Sequence, residues 1–296
     1  MELQQLKTFV TIAKVGSFTK AAELLDYAQS SVSGQIRILE EDLEIRLFER
    51  LGREVVLTEE GKRLLTYAEQ MLKLAEETKD SITGSSVPKG TLTIGAPETL
   101  SIYRLPGILQ EYHKRFPKVK LVLKLGSCCD ILDWLRKNII DIAFLLDTPL
   151  NISDFISESM CHEEISLIAG NNHALINKNP LNSIDLDGED LILVEEDGCC
   201  YRTRFESLLA ESGARPGSIQ EFGNVETIKK CVVSGLGISI LPRIAVEKEC
   251  LSGQLNELAW NAPDFNIYTQ ILYRKNKWLS PALSAMIELS RKHISD

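Results

Sequence analysis

The chain has 296 residues, 44% of them hydrophobic, 25% charged and 6% aromatic, with 42 acids against 33 Lys and Arg and a formal net charge of −9. That composition excludes a largely disordered chain, a collagen-like repeat and a coiled-coil rod, and the length allows two domains and a third small one. The acidic balance favours solubility and gives no bulk affinity for nucleic acid, so any such affinity has to come from local pattern.

No apolar run reaches the roughly 18–20 residues of a membrane span. The start, Met1-Glu2-Leu3-Gln4-Gln5-Leu6-Lys7, lacks the basic-then-apolar order of an export signal, so a cytoplasmic protein without membrane attachment is expected. Seven cysteines, an odd count in such a chain, argue against a disulfide framework. None forms a CxxC pair, and His113, His162, His173 and His293 are scattered, so neither a metal site nor a cofactor is expected.

Along the chain, Ser17 can cap a helix from Phe18 to Leu25, and Asp26-Tyr27-Ala28 forms a short turn. A second helix then runs from about Gln29 to Glu41. It buries Val32, Ile36 and Leu39 and offers Gln29, Ser30, Ser33, Gly34 and Arg37 on its other face. A helix-turn-helix exposes its second helix in this way, and so does an ordinary helical hairpin. Residues 47–61 read as a helix end, a hairpin wing and a new helix capped by Thr58.

Residues 58–82 form one long helical pattern in which Leu64, Leu65, Ala68, Met71, Leu72, Leu74 and Ala75 recur at three- and four-residue spacing. Packing on the first helices accounts for its opening turns. Burial against a second copy of the chain accounts for the rest. Residues 83–90, rich in Gly, Ser and Pro, read as a hinge.

From Thr91 strands and helices alternate. Strands are expected at 91–95, 119–125, 142–146, 165–169, 191–195, 219–222, 238–241 and 268–273, and helices at 105–115, 130–138, 202–212, 225–234 and 280–293. Near-continuous apolar strands predict parallel sheet covered on both faces, in two lobes with a ligand cleft at the strand ends. Thr99, Ser101, Ser127, Arg202 and Thr227 lie in or beside the loops that would line it. Hydroxyls and helix N-termini there suit a small anion, and Arg202 could pair with one or form a structural salt bridge.

The first 61 residues carry Leu6…Phe9, Ser17-Phe18-x-x-Ala21-Ala22, Gln29-x-x-Val32-Ser33-x-Gln35-Ile36-x-x-Leu39-Glu40 and Leu47-Phe48-x-Arg50…Leu57-Thr58-x-x-Gly61. In these words the chain resembles the LysR-type transcriptional regulators, and the α/β remainder matches their effector-binding region in order and length. The resemblance implies an α/β protein with a winged helix-turn-helix at 1–60 and a linker (dimerisation) helix and hinge at 61–89. A two-lobed, periplasmic-binding-protein-like domain at 90–296 would follow, with lobe I at 90–163 and 270–296 and lobe II at 164–269. It also implies a homodimer or homotetramer on an interrupted palindrome of double-stranded DNA, a small, anionic effector, and room for RNA polymerase as a further partner.

On that resemblance Gln29 could bridge adenine N6 and N7. Ser30, Ser33 and Gln35 have the reach for base edges or phosphates, Arg37, Lys20, Arg50 and Arg63 for phosphates, and Arg53 in the wing for the minor groove. Leu64, Leu65, Ala68, Met71, Leu72 and Ala75 would form the subunit interface. Ser30-Ser31 and Gly34 depart from the usual Pro-Ala and long polar residue, which removes one contact. Residues 1–66 hold nine Lys or Arg against eleven acids, so binding must rest on local charge. Gly198-Cys199-Cys200-Tyr201-Arg202 looks like the peroxide-sensing branch of the family, which leaves Cys199 as a redox alternative to small residues in a binding loop. An enzyme or a solute-binding protein is disfavoured: there is no P-loop, dinucleotide fingerprint, HExxH or GxSxG, and no catalytic residue is expected.

Overall fold

The computed structural model describes residues 1–51, 54–83, 87–195, 199–263 and 265–294. Two compact units divide the chain, Met1–Ser85 and Ser86–Asp296.

In the first unit, α1 (Leu3–Val15), α2 (Phe18–Leu25) and α3 (Gln29–Leu43) pack around Leu6, Phe9, Ile12, Ala21, Val32, Ile36 and Leu39, all nearly inaccessible to solvent. Ser17 Oγ accepts the Lys20 N–H and starts α2, while Asp26, in the left-handed region at φ 56°, ends it and turns the chain toward α3. A two-stranded wing follows, β1 (Phe48–Leu51) antiparallel to β2 (Glu54–Leu57). The Phe48 ring meets Phe9 and Phe18 at 5.3 and 5.7 Å, which ties the wing to the helical core. Glu40 braces it further, its Oε1 accepting the Leu47 N–H at 2.7 Å.

Helix α4 (Glu59–Thr83) starts where Thr58 Oγ1 accepts the Gly61 N–H and donates to the Arg46 carbonyl. Gly61 is required at this crossing: a Cβ there would lie 2.3 Å from the Leu47 carbonyl oxygen.

The second unit holds two lobes. Strands β3 (Gly90–Ala96), β4 (Val119–Leu125), β5 (Ile142–Asp147), β6 (Phe155–His162) and a late strand at 268–274 form one sheet. On it lie α5 (Glu98–Tyr103), α6 (Leu105–Arg115) and α7 (Cys128–Arg136). The other lobe has β7 (Ile165–Gly170), β8 (Asp190–Val194), α8 (Cys200–Ser212), β9 (Ser218–Phe222), α9 (Val225–Val233), β10 (Ser239–Pro242), α10 (Arg243–Leu251) and β11 (Leu255–Glu257). The chain then returns through β12 (Tyr268–Arg274) and ends in α11 (Pro281–Ile294). The first sheet runs β4-β3-β5-β12-β6.

The first sheet is mixed, which corrects the all-parallel expectation: β3, β4 and β5 are parallel, but β12 runs antiparallel to both β5 and β6; in the other lobe β8 and β9 are parallel, while β7 runs antiparallel to both β10 and β11. A buried apolar run such as Ile142–Leu146 records that both faces are covered and says nothing of strand direction. Strands β6 and β11 and helices α5 and α10 add to the elements read from sequence. The polar alternation of β6, Ser157-Glu158-Ser159, hides a strand that is only half covered.

The chain crosses between lobes twice, at 162–165 and 257–268, and Glu163 ties the crossings together. Its buried carboxylate accepts Arg104 Nε and Nη2 at 2.9 and 3.0 Å and Thr269 Oγ1 at 2.7 Å, while its N–H donates to the Ile267 carbonyl.

Candidate nucleic-acid interface and effector cleft

Helix α3 divides as its periodicity predicts. Val32, Ile36 and Leu39 are buried, while Gln29, Ser30 and Arg37 are exposed and Ser33 and Gly34 half-exposed. Gln29 Nε2 donates to Ser33 Oγ at 3.2 Å, so the first turn presents an amide and a hydroxyl side by side. No side chain caps the helix at Ala28, which leaves its first N–H groups and the positive end of its dipole to an outside partner. Helix N-termini facing phosphates are expected from the sequence as a supplement to local charge, and the open start of α3 is of that kind. A Cβ added to Gly34 would meet nothing within 4 Å, so the middle of the face is open.

The other expected contacts are not all on this face. Gln35 turns toward α1: its Oε1 accepts a 2.6 Å bond from the buried Thr8 hydroxyl, which commits its carbonyl end to helix packing. Arg37 makes a loose, exposed pair with Glu41 at 3.4 Å. Lys20 and Arg63 are exposed. Arg53 lies outside the described residues, and of Arg50 only the backbone, paired with Val55 in the wing, is described.

Along α4 the apolar positions split. Ala68 is fully buried, and Leu64, Leu65 and Leu72 pack on the core of their own unit. Ala75 is half-buried and Met71 exposed. Tyr67, Leu74 and Ile82 join Met71 as exposed apolar groups, and spacings of four, three and eight put them along one stripe. The apolar stripe read from sequence therefore combines an inward face with an outward one.

In the second unit a cleft of about 450 Å³ opens between the lobes, lined by residues that include Glu98, Thr99, Gly126, Ser127, Cys128, Asp130, Glu195, Cys199, Cys200, Tyr201, Gly223 and Val225. Thr99 and Ser127 thus lie on its wall as expected. Ser101, Arg202 and Thr227 do not: the Ser101 hydroxyl donates to the Pro97 carbonyl, and Thr227 N and Oγ1 both turn to Asn224 Oδ1.

Arg202 is buried and fully engaged, with Nε on Glu206 at 2.9 Å, Nη2 on Glu221 at 2.6 Å and Nη1 on the Val194 carbonyl. Burial opposes its charge, but Glu221 and Glu206 outweigh it and hold the guanidinium pKa above its ordinary value. Of the two readings of Arg202, the structural one applies. With it goes the cation expected to hold an anionic effector: among the described residues the lining contains Glu98, Asp130 and Glu195 and no Lys or Arg.

Three thiols reach the cleft from both lobes. Cys200 Sγ donates to the Leu146 carbonyl at 3.2 Å, and Cys128 Sγ approaches the same oxygen at 3.9 Å. Burial, the largest influence, pushes the Cys128 thiol up to about 12 and Cys199 up to about 11, and it raises Cys200 as well. Bonds from the backbone of Arg202 and from Tyr201 pull Cys199 down but do not win. All three are neutral thiols near pH 7, the opposite of what a nucleophilic cysteine needs.

Comparison with known proteins accords with this geometry. Residues 3–62 match the bacterial regulatory helix-turn-helix protein, lysR family, and residues 85–295 match the LysR substrate binding domain. The uncharacterized HTH-type transcriptional regulator YwqM of Bacillus subtilis is 43% identical over 99% of both chains, and GltR of the same organism is 34% identical over 99% of this chain and 97% of its own. Full-length OxyR from Pseudomonas aeruginosa superposes with a TM-score of 0.72 at 25% identity, covering 99% of this chain and 94% of that one. Full-length CbnR complexed with its target DNA shares the fold, with a TM-score of 0.69 at 21% identity over 99% of this chain and all of CbnR. The chain belongs to the LysR family of transcriptional regulators, with an N-terminal DNA-binding helix-turn-helix and a C-terminal effector-binding domain.

Proposed function

We propose that this protein regulates transcription in the cytoplasm by binding an interrupted palindromic operator as a homodimer or homotetramer, under the control of a small molecule held in the cleft. The observation that carries the reading is α3: an exposed face of Gln29, Ser30, Ser33 and Arg37, with an uncapped helix start, behind a fully buried apolar side. Gln29 reads a base edge. Ser30, Ser33, Arg37 and Lys20 fix register on phosphates, and Arg50 and Arg53 carry the wing along the backbone toward the minor groove.

The exposed stripe of Tyr67, Met71, Leu74 and Ile82 on α4 meets a second copy and sets the spacing of two recognition helices. In this reading residues 1–60 bind DNA, 61–89 link, and the lobes at 90–163 with 270–296 and at 164–269 sense the effector. RNA polymerase is a further partner at the promoter. Effector sensing is favoured over redox sensing by Cys199 because burial keeps that thiol protonated.

Fluorescence anisotropy with operator DNA tests the assignment. Gln29→Ala costs about 1–3 kcal/mol and relaxes preference at one base pair per half-site, whereas Arg53→Ala weakens binding evenly across sequences. Unchanged operator affinity in both variants would overturn it. For assembly, Leu74→Glu in the full-length chain lowers the sedimentation coefficient and the operator affinity together. A protein that stays assembled would remove α4 from the interface.

A further inference from the structure

Three helices point their N-termini at the cleft: α7 through Ser127 and Cys128, α8 through Cys199 to Tyr201, and α9 through Gly223 and Val225. Such ends attract anions. In this chain two of them already hold a carboxylate of the protein itself. At α7, Asp130 and Ser127 cap each other, Ser127 N and Oγ both donating to Asp130 Oδ2 while Asp130 N donates back to Ser127 Oγ. At α9 the carboxylate comes from the opposite lobe. Glu98, the first residue of α5, accepts the Val225 N–H on Oε2 at 3.0 Å and the Asn224 amide on Oε1 at 2.5 Å.

A second contact lies a turn along the same pair of helices. The Tyr103 hydroxyl, at the end of α5, donates to Glu226 Oε1 and accepts from the buried Lys229 Nζ at 2.9 Å. Lys229 is held in turn by Glu249 and the Ala245 carbonyl, so this end of the clasp is anchored in the body of its lobe.

We propose that Glu98 determines what the cleft accepts. Its carboxylate is a built-in occupant of the α9 N-terminus, it clasps one lobe to the other, and it closes the cleft to free carboxylates in favour of an uncharged or cationic small molecule. The proposal rests on the reading of the cleft as the effector site and fixes the chemical class of ligand there. Electrostatics and occupancy act together. A second carboxylate would have to displace Glu98 from two hydrogen bonds, or else sit in a lining that already carries Asp130 and Glu195 without a Lys or Arg among the described residues.

Thermal unfolding of the full-length protein with succinate as probe, at ionic strength matched with sodium chloride, tests this for wild type, Glu98→Ala and Glu98→Gln. Succinate is expected to leave the wild-type midpoint unmoved and to raise that of Glu98→Ala, with apparent affinity at least about tenfold tighter than for wild type. Glu98→Gln, which removes the charge but still fills the seat, is expected to respond less than Glu98→Ala, and a response equal to that of Glu98→Ala overturns the occupancy assigned to Glu98. Equal stabilisation of wild type and Glu98→Ala, or none in Glu98→Ala, overturns the proposal. Hydrogen exchange of the ligand-free proteins supplies a readout that needs no ligand: amides at 225–228 exchange faster in Glu98→Ala than in wild type, and unchanged exchange overturns the clasp. If both results come out as expected while operator binding ignores every molecule that enters the cleft, the effector reading fails and the Glu98 assignment stands.

Discussion

The recognition helix and the cleft handle polar groups in opposite ways. On α3 the groups that matter are left open: an uncapped helix start, Gln29 engaged, among the described residues, with its neighbour Ser33, and open space at Gly34. At the cleft two helix starts are already satisfied from within, that of α9 by Glu98 and that of α7 by Asp130, and Arg202, which lies off the cleft wall, is held by Glu206 and Glu221. A surface that meets a polyanion gains by leaving donors free for phosphates and bases. A pocket that has to stand empty part of the time cannot leave charges unpaired without a cost in folding. An open donor therefore marks the recognition face, and in the cleft the informative residue is the one that already fills a seat.

The contrast can be broken most strongly at the crossing between lobes. Arg104→Met leaves the buried Glu163 carboxylate without its guanidinium partner and should cost about 3–5 kcal/mol. Urea denaturation monitored in the second unit would register it, and a loss below about 1 kcal/mol would mean that the Thr269 hydroxyl and the Cys161 thiol suffice to hold the charge. In the first unit the steric counterpart is Gly61→Ala, which drives a Cβ toward the Leu47 carbonyl. The expected destabilisation is about 1–3 kcal/mol, with operator affinity falling as the wing is displaced. Wild-type stability in that variant would show that α4 can shift away freely.

A pH titration sharpens the comparison on the cleft side. Because burial raises Cys128 to about 12 and Cys199 to about 11, the folded state keeps protons that the unfolded chain gives up above about 9. Their contribution is complete below pH 9 and is lost as the pH climbs through the folded values. Denaturation midpoints should therefore fall as the pH rises from about 9 to about 11, and less so in Cys128→Ala. A flat profile would mean that the thiols are hydrated. Cys129, exposed beside them, should react with iodoacetamide first. The smallest effect, and one of opposite sign, belongs to the recognition face: Gly34→Ala should stabilise the fold by about 0.5–1 kcal/mol, since a helical glycine with open space around it gains from a Cβ. A loss of stability there would show that the face is more crowded than the geometry indicates.

The helix-turn-helix was largely legible in the amino-acid order because its signals are local. Ser17 caps α2, three- and four-residue spacing buries Val32, Ile36 and Leu39, and Thr58 starts α4, each within one element. Gln35 escaped the reading because its partner, Thr8, sits on another helix. The cleft was less legible for the same reason on a larger scale. Strand positions were readable from apolar runs, but the direction of β12 and the pairing of Glu98 with Val225 depend on residues far apart in the chain. Thr99 and Ser127 could be placed because they follow strands directly. Arg202 could not, since nothing near it in the sequence announces Glu221 as its partner.

The return of the chain through β12 bears on how the second unit is assembled. Tyr268, the first residue of β12, stands opposite His162, the last of β6, in an antiparallel ladder, and their rings meet edge to face at 5.2 Å. Viewed from the first sheet, β6 and β12 are the two arms of a hairpin, and everything from 163 to 267 replaces the turn that would join them. One lobe is thus inserted at the tip of a hairpin in the other. Antiparallel neighbours can be closed by a two-residue turn. A shortened chain joining His162 to Tyr268 through Asn-Gly should therefore keep the register of the first sheet, at the expense of the apolar surface that the inserted lobe now covers.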